Sequence, residues 1–370
     1  MGIEANSEDI MNLQKTKTMK ETDRKCPQCG GTMDYDPALS KLHCPYCDYT
    51  EAIKEVNNTP KKAEELDFES AQFTGNFDWG TKQKTVTCKS CGATPVYDAL
   101  EVANECPYCG SNQVMEVADV DTMAPGGVVP FKIDKNTAGL KFKAWIKGKL
   151  FCPKEAKESA KPESFTGIYL PYWTFDADTH SRYKGEYGYE KKRKKGDQVE
   201  TYYEWHYGSG EFDKFIDDEL VSACGTNHDK TILNQIAPFK TEDNVSYKPE
   251  YIAGFAAERY SIGLKDAWAL AKETIKSKLK AFAEDKLRSE HNADSTRNVT
   301  VETQFSNIKY KYLMLPVWIS SFTYKGKIYQ FMVNGQSGKV GGKSPISPWR
   351  VLVAVLIVLL IIALITWGSS

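Results

Sequence analysis

The chain has 370 residues, a hydrophobic fraction of 41% and a formal net charge of −1. That length accommodates two or three domains around packed cores. The near-neutral balance excludes any general attraction to nucleic acid or anionic lipid, so such binding would need a local basic patch.

Residues 1–23 carry no apolar signal core, and Asn6 breaks the myristoylation pattern, so they read as a flexible N-terminus. Residues 24–50 then present Cys26-Pro-Gln-Cys29 and Cys44-Pro-Tyr-Cys47, and residues 85–118 repeat the arrangement as Cys88-Lys-Ser-Cys91 and Cys106-Pro-Tyr-Cys109. Ten of the twenty-two aligned positions are identical, Tyr35/Tyr97 and Asp36/Asp98 among them, so the unit reads as duplicated. A Cys-x-x-Cys knuckle turns tightly enough for two sulfurs to reach one ion, and two knuckles close a tetrahedral Zn2+ site. Gly30, Gly92 and Gly110 follow second cysteines, where a knuckle commonly needs a positive φ. Two zinc ions per chain are therefore expected, one on Cys26, Cys29, Cys44 and Cys47, the other on Cys88, Cys91, Cys106 and Cys109. Four thiolates leave no open coordination position, which makes both sites structural. A thioredoxin-like redox pair would need one Cys-x-x-Cys opening a helix, whereas here the pairs come in matched sets.

From Glu21 to Ala118 there are nine Lys/Arg against sixteen Asp/Glu, a balance of −7 that opposes binding a polyanion. Tyr46 and Tyr108 are expected to cap the small ribbon cores rather than stack on bases. Residues 51–84 read as a linker, polar from Asn57 to Glu65. It then carries Phe68, Phe73, Phe77 and Trp79, which are expected to dock one ribbon on the other rather than form a partner site.

Residues 119–348 read as an α+β body. Asp134 is a good N-cap, and Ala138, Phe142, Trp145, Ile146 and Leu150 recur at helical spacing up to Cys152-Pro153. Thr179–Glu190 and Gln198–Gly210 read as a hairpin whose tip, Lys191 to Gly196, holds five consecutive cations. Such a tip can face anionic lipid heads or simply stand in solvent. A long helix is expected from Leu264 to Phe282, then a meander from Tyr310 to Val340 with tight turns at Lys325-Gly326 and, in type I′ geometry, at Asn334-Gly335. Leu170-Pro-Tyr-Trp173 and Leu315-Pro-Val-Trp318 suggest two related halves.

No catalytic constellation is legible, and the chain is not expected to be an enzyme. Ser337–Ser344 imitates the end of a P-loop, but it lacks the first glycine, and Pro345 and Pro348 forbid the helix that must follow. Cys152 and Cys224 read as small buried apolar residues. At the C-terminus, Val351–Ile365 is a run of fifteen apolar residues bracketed by Trp349 and Trp367. Residues 349–367 make a helix of about 28 Å, matched to a hydrocarbon core of ~30 Å. Lys343 and Arg350 precede the span and no charged side chain follows it, so the positive-inside rule puts the preceding bulk in the cytosol of a single-pass, tail-anchored membrane protein.

With the ribbons, the paired Leu-Pro-x-Trp strands, Tyr251-Ile-Ala-Gly-Phe-Ala-Ala-Glu258, Val333-Asn-Gly-Gln-Ser-Gly-Lys339 and the anchor, the chain resembles a family of bacterial membrane-anchored double zinc-ribbon proteins. The resemblance spans roughly residues 24–367. It implies an adaptor that acts at the membrane in envelope stress beside SPFH/flotillin-like and phage-shock-protein-A-like partners. It carries over only the eight ribbon cysteines and the anchor. Relatives have also been labelled primosomal helicase or replisome organiser, and a membrane-tethered nucleic-acid or replication factor is the alternative reading.

Overall fold

The computed structural model of the chain describes residues 24–54, 61–70, 83–89, 95–98, 114–117, 123–159, 165–195, 198–224 and 229–368. The fold is α+β. Strands β1 (Asp34–Asp36), β2 (Lys41–His43) and β3 (Thr50–Glu51) form a small antiparallel sheet. A larger sheet of twelve strands contains β4 (Leu66–Asp67), β5 (Gln83–Cys88), β6 (Pro95–Asp98), β7 (Val114–Val117), β8 (Gly127–Val128), β9 (Thr166–Lys195), β10 (Gln198–Ser222), β11 (Val245–Ser246), β12 (Ala256–Glu258), β13 (Ser295–Tyr324), β14 (Lys327–Asn334) and β15 (Val340–Gly342). The helices are α1 (Lys135–Lys147), α2 (Lys154–Ser159), α3 (Lys230–Ile236), α4 (Leu264–Glu290) and α5 (Pro348–Gly368).

The frame is the antiparallel pair β9–β13, paired from Ser295↔Gly188 to Ile319↔Thr166 with register shifts between Arg297 and Thr300 and between Ser306 and Lys309. At the end that holds the Leu-Pro-x-Trp segments, successive apolar side chains project to opposite faces, so both faces are packed there. Tyr169, Trp173, Phe175, Tyr310, Tyr312 and Met314 face α1 and α4, while Ile168, Leu170, Leu313, Leu315, Val317 and Ile319 face α3 and β5. Beyond that end, α4 continues along the sheet and buries Ala283 and Leu287 against Tyr183 and Val299.

The two Leu-Pro-x-Trp segments lie side by side, Leu170 opposite Leu315. Each long strand also receives a short parallel strand from the other half of the body: Tyr169 pairs Ala257 of β12, and Met314 pairs Val128 of β8. Trp173 Nε1 donates to the Ile262 carbonyl (2.9 Å) and Trp318 Nε1 to the Ile133 carbonyl (3.1 Å). Val128, Ile133 and Asp134 stand 129 residues before Ala257, Ile262 and Gly263, so strand, indole acceptor and helix start recur at one offset. Because each half completes the other's strand edge, neither has a finished core by itself.

Several expectations are corrected. Helix α1 stops at Gly148 rather than running to Cys152, which leaves Leu150 79% exposed. Helix α4 runs eight residues past Phe282 because Leu287 still has a core to enter. The cations Lys191–Lys195 lie within β9, paired to β10, rather than in a turn; Gly196 lies outside the described residues. Lys325 and Gly326 both have positive φ, as a two-residue turn needs, but Asn334 and Gly335 do not. Asn334 is instead wholly buried, its Nδ2 donating to the Ile236 carbonyl and its Oδ1 accepting from the N–H groups of Gln336 and Ser337. The P-loop-like segment contains strand β15 and no helix.

Residues 61–70, expected within the linker, are strapped to the body: Ser246 N donates to the Lys61 carbonyl, and β4 pairs Leu66 with Tyr310. Phe68 packs on Phe175 and Trp268, so it docks on the body rather than on a ribbon. Phe73, Phe77 and Trp79 lie outside the described residues.

Candidate metal centre

The first knuckle pair is built by one local pattern used twice. Cys26 N donates to the Gly31 carbonyl (2.7 Å) and Gly30 N to the Cys26 carbonyl (2.8 Å). In the second knuckle, Cys44 N donates to the Tyr49 carbonyl (2.8 Å) and Asp48 N to the Cys44 carbonyl (3.0 Å). The residue after the second cysteine is left-handed both times, Gly30 at φ 76° and Asp48 at φ 59°. Glycine adopts that region freely, and aspartate is among the few other residues that tolerate it.

These turns converge the four sulfurs. Cys26 Sγ lies 3.5 Å from Cys47 Sγ, Cys29 Sγ lies 3.5 Å from Cys44 Sγ, and all four fall within 4.8 Å of one another. A tetrahedral ion with metal–sulfur bonds of ~2.3 Å requires sulfur–sulfur edges of roughly 3.8 Å. A disulfide requires about 2.05 Å. The sphere therefore fits a metal ion and not a cross-link. Burial pushes the Cys26 thiol up, but the N–H groups of Cys29 and Gln28 outweigh it and hold it down to about 7. The Tyr49 N–H lowers Cys47, yet burial and the three neighbouring sulfurs overcome it and push it up to about 12. A metal ion takes cysteine sulfurs as thiolates, so filling the site would displace protons.

The unit's own core is small, Met33 and Leu42 beside Cys26 and Cys44, and Ala253 of the body completes it. Tyr35 N donates to the Ala253 carbonyl (3.1 Å), and the Tyr35 ring meets Tyr251 at 5.9 Å. Gly254, at φ 78°, allows the approach: a Cβ there would stand 2.8 Å from the Asp34 side chain. The Tyr251 carbonyl accepts from Tyr169 Oη (3.0 Å), tying the dock to β9. In β12, Ala257 and Glu258 pair with Val96 and Pro95 of β6. The Tyr251–Glu258 segment thus carries both N-terminal units, a role that its sequence alone did not disclose.

Of the second cysteine set, Cys88 is fully buried at the end of β5, packed with Val86 beneath the β9–β13 face. Cys91, Cys106, Cys109 and Tyr108 lie outside the described residues. Tyr46 does not cap a core: it is 76% exposed, its ring lying against Gly31. Cys152 and Cys224 are buried, as a small-apolar role requires, and burial raises both thiols.

A group of carboxylates, Asp176, Asp217 and Asp218, also converges, at the β10 bulge. It already holds a cation. Lys311 Nζ lies 2.7 Å from Asp218, 3.4 Å from Glu65 and 3.6 Å from Asp176. Burial would lower the ammonium, but these carboxylates raise it.

Helix α5 is the one described helix long and apolar enough to cross a membrane, with a mean hydropathy of 2.8 over residues whose side chains the body leaves uncovered.

Among known proteins, the chain is 28% identical over 333 residues to the Uncharacterized protein YdjG of Bacillus subtilis (strain 168), an alignment covering 88% of this chain and 91% of that protein. No family model matches, and no solved structure matches.

Proposed function

We propose that this chain is a tail-anchored, cytosol-facing zinc-ribbon scaffold that recruits protein partners to the membrane. The observation that carries the reading is the pairing of a closed four-sulfur centre with an uncovered apolar helix, both fixed to one body. Zn2+ is the ion that best suits a closed four-cysteine site in a reducing compartment, where it acts by holding structure rather than by chemistry. By the sequence repeat, Cys88, Cys91, Cys106 and Cys109 hold a second Zn2+. The helix α5 serves as the single-pass anchor, and Lys343 and Arg350 on its N-terminal side support a cytosolic body.

The −7 balance from Glu21 to Ala118 favours a protein over nucleic acid as the object of the ribbons. An SPFH/flotillin-like or phage-shock-protein-A-like partner, and with it an envelope-stress role, is what the resemblance puts first.

The test is crosslinking from native membranes, with the reacted residues mapped by mass spectrometry. The reading expects proteins joined to residues 24–54 or to the second unit. DNA binding by the full chain in nanodiscs should be no tighter than the ~10⁻⁴–10⁻⁶ M of non-specific contacts at physiological salt. Sub-micromolar DNA binding that weakens steeply with salt would replace the scaffold by a membrane-tethered nucleic-acid factor.

A further inference from the structure

The base of the membrane helix is bonded to one particular loop of the body. Ser347 N donates to the Phe151 carbonyl (2.8 Å), and Arg350 Nη1 donates to the carbonyls of Leu150 (3.1 Å) and Cys152 (2.8 Å). Those two donors flank the first turn of α5, directly ahead of Val351. Leu150 and Phe151 therefore sit at the depth where the span leaves the aqueous phase.

The loop displays apolar side chains there instead of hiding them. Leu150 is 79% and Phe151 41% exposed, beside Ile346 at 66% and Trp349 at 69%. The display is fixed in place. Gly148 ends α1, Cys152 N bonds back to the Lys149 carbonyl, and the buried Cys152 side chain ties the loop to the core.

The surrounding charge has one sign. From Lys135 to Ser159 there are seven lysines and two glutamates. Lys154 pairs with Glu158, and Lys149 lies over the Trp145 ring at 4.4 Å. Lys143 and Lys147 share one exposed helix face with Leu140. Among the described residues, none of Lys143, Lys147 and Lys149 forms an ion pair.

We propose that the Lys143–Lys154 segment is a docking surface for the anionic phospholipid headgroups of the leaflet that α5 enters, with Leu150 and Phe151 seated among the upper acyl chains. The proposal rests on the reading of α5 as a membrane span. Apolar tips ringed by unpaired lysines are what a bilayer interface with a negative surface potential selects. The run Lys191–Lys195, the more conspicuous cation cluster in the sequence, is not this surface. It lies at the other end of β9, roughly 80–95 Å along the strand from Thr166 at ~3.3 Å per residue, and two of its members pair with Glu204 and Glu200.

The test reconstitutes the full chain into vesicles of phosphatidylcholine alone, or of two parts phosphatidylcholine to one part phosphatidylglycerol. Both contain a tracer lipid with a photoactivatable group high on an acyl chain, and adducts are mapped by mass spectrometry. The expected result is labelling of Leu150 and Phe151 in addition to α5, rising several-fold with phosphatidylglycerol and falling back in Lys143→Gln/Lys147→Gln/Lys149→Gln, none of whose sites is buried. Labelling of α5 without the loop would overturn the docking surface and leave the anchor standing. Equal loop labelling in both vesicles would overturn its anionic preference. An unlabelled α5 would overturn the anchor itself, and the docking surface with it.

Discussion

At the residue scale, Lys311 makes the clearest demand on the fold. It is 6% exposed and balances Asp218 and Asp176, which is itself 2% exposed. Burial raises Asp218, but its hydrogen bond from Lys311 more than offsets this and leaves the carboxyl below its usual range. Burial of Glu65 is likewise outweighed by Lys311 and Lys309. Carboxyls with depressed folded pKa values contribute stability above about pH 4, and it is lost as pH falls through their folded values. Removing the ammonium strands these charges, so Lys311→Met should cost about 3–5 kcal/mol near pH 7. The stranded carboxyls would then have raised pKa values, and their protonation would favour the folded state. The deficit should therefore narrow as pH falls from 7 towards 4, which thermal melts of both proteins would show. A deficit that stays constant with pH would mean Lys311 contributes packing rather than charge.

At the level of elements, the matched halves make a comparative prediction. Helix α1 is capped by Asp134, whose Oδ1 accepts from Thr137 N at 2.6 Å, while α4 starts at Gly263, at the same offset, with no side-chain cap. Nothing lies within 4 Å of where a Cβ on Gly263 would stand. Gly263→Asp should thus stabilise the chain by about 0.5–1 kcal/mol, through a supplied cap and a less flexible unfolded state. A melting temperature unchanged or lowered would contradict the equivalence. Helix starts, the strong period of α4 and the Lys325-Gly326 turn were legible because local chemistry decides them. The first cysteine set was legible for the same reason, since its knuckles close within a few residues. What was hidden was tertiary. The strapping of residues 61–70, the exchange of β8 and β12 between halves, the burial of Asn334 and the docking role of Tyr251–Glu258 all depend on partners more than fifty residues away in sequence.

For the molecule as a whole, the proposed function gives anchoring and partner binding to separate parts of one frame, and each is separable by experiment. A chain ending at Ser347 keeps every described core cluster and loses only α5 with the Arg350 contacts. It should fold and, after a high-salt wash, leave the membrane fraction. Retention under those conditions in the absence of partners would refute the tail anchor. Metal analysis of the reduced full chain should give two zinc ions, and Cys29→Ser should lower this to one, because each site is local in sequence. A single ion in the unsubstituted chain would mean that one set is degenerate or that knuckles pair across the repeat. The central claim is that the metal-organised units recruit while the helix holds, and the most direct measurement follows a crosslinked partner through membrane fractionation in cells carrying Cys29→Ser and Cys91→Ser together. The account predicts that the variant stays in the membrane fraction, depleted of metal, while the partner is released from it. A partner retained by the metal-depleted variant, or a variant that itself leaves the membrane, would contradict it.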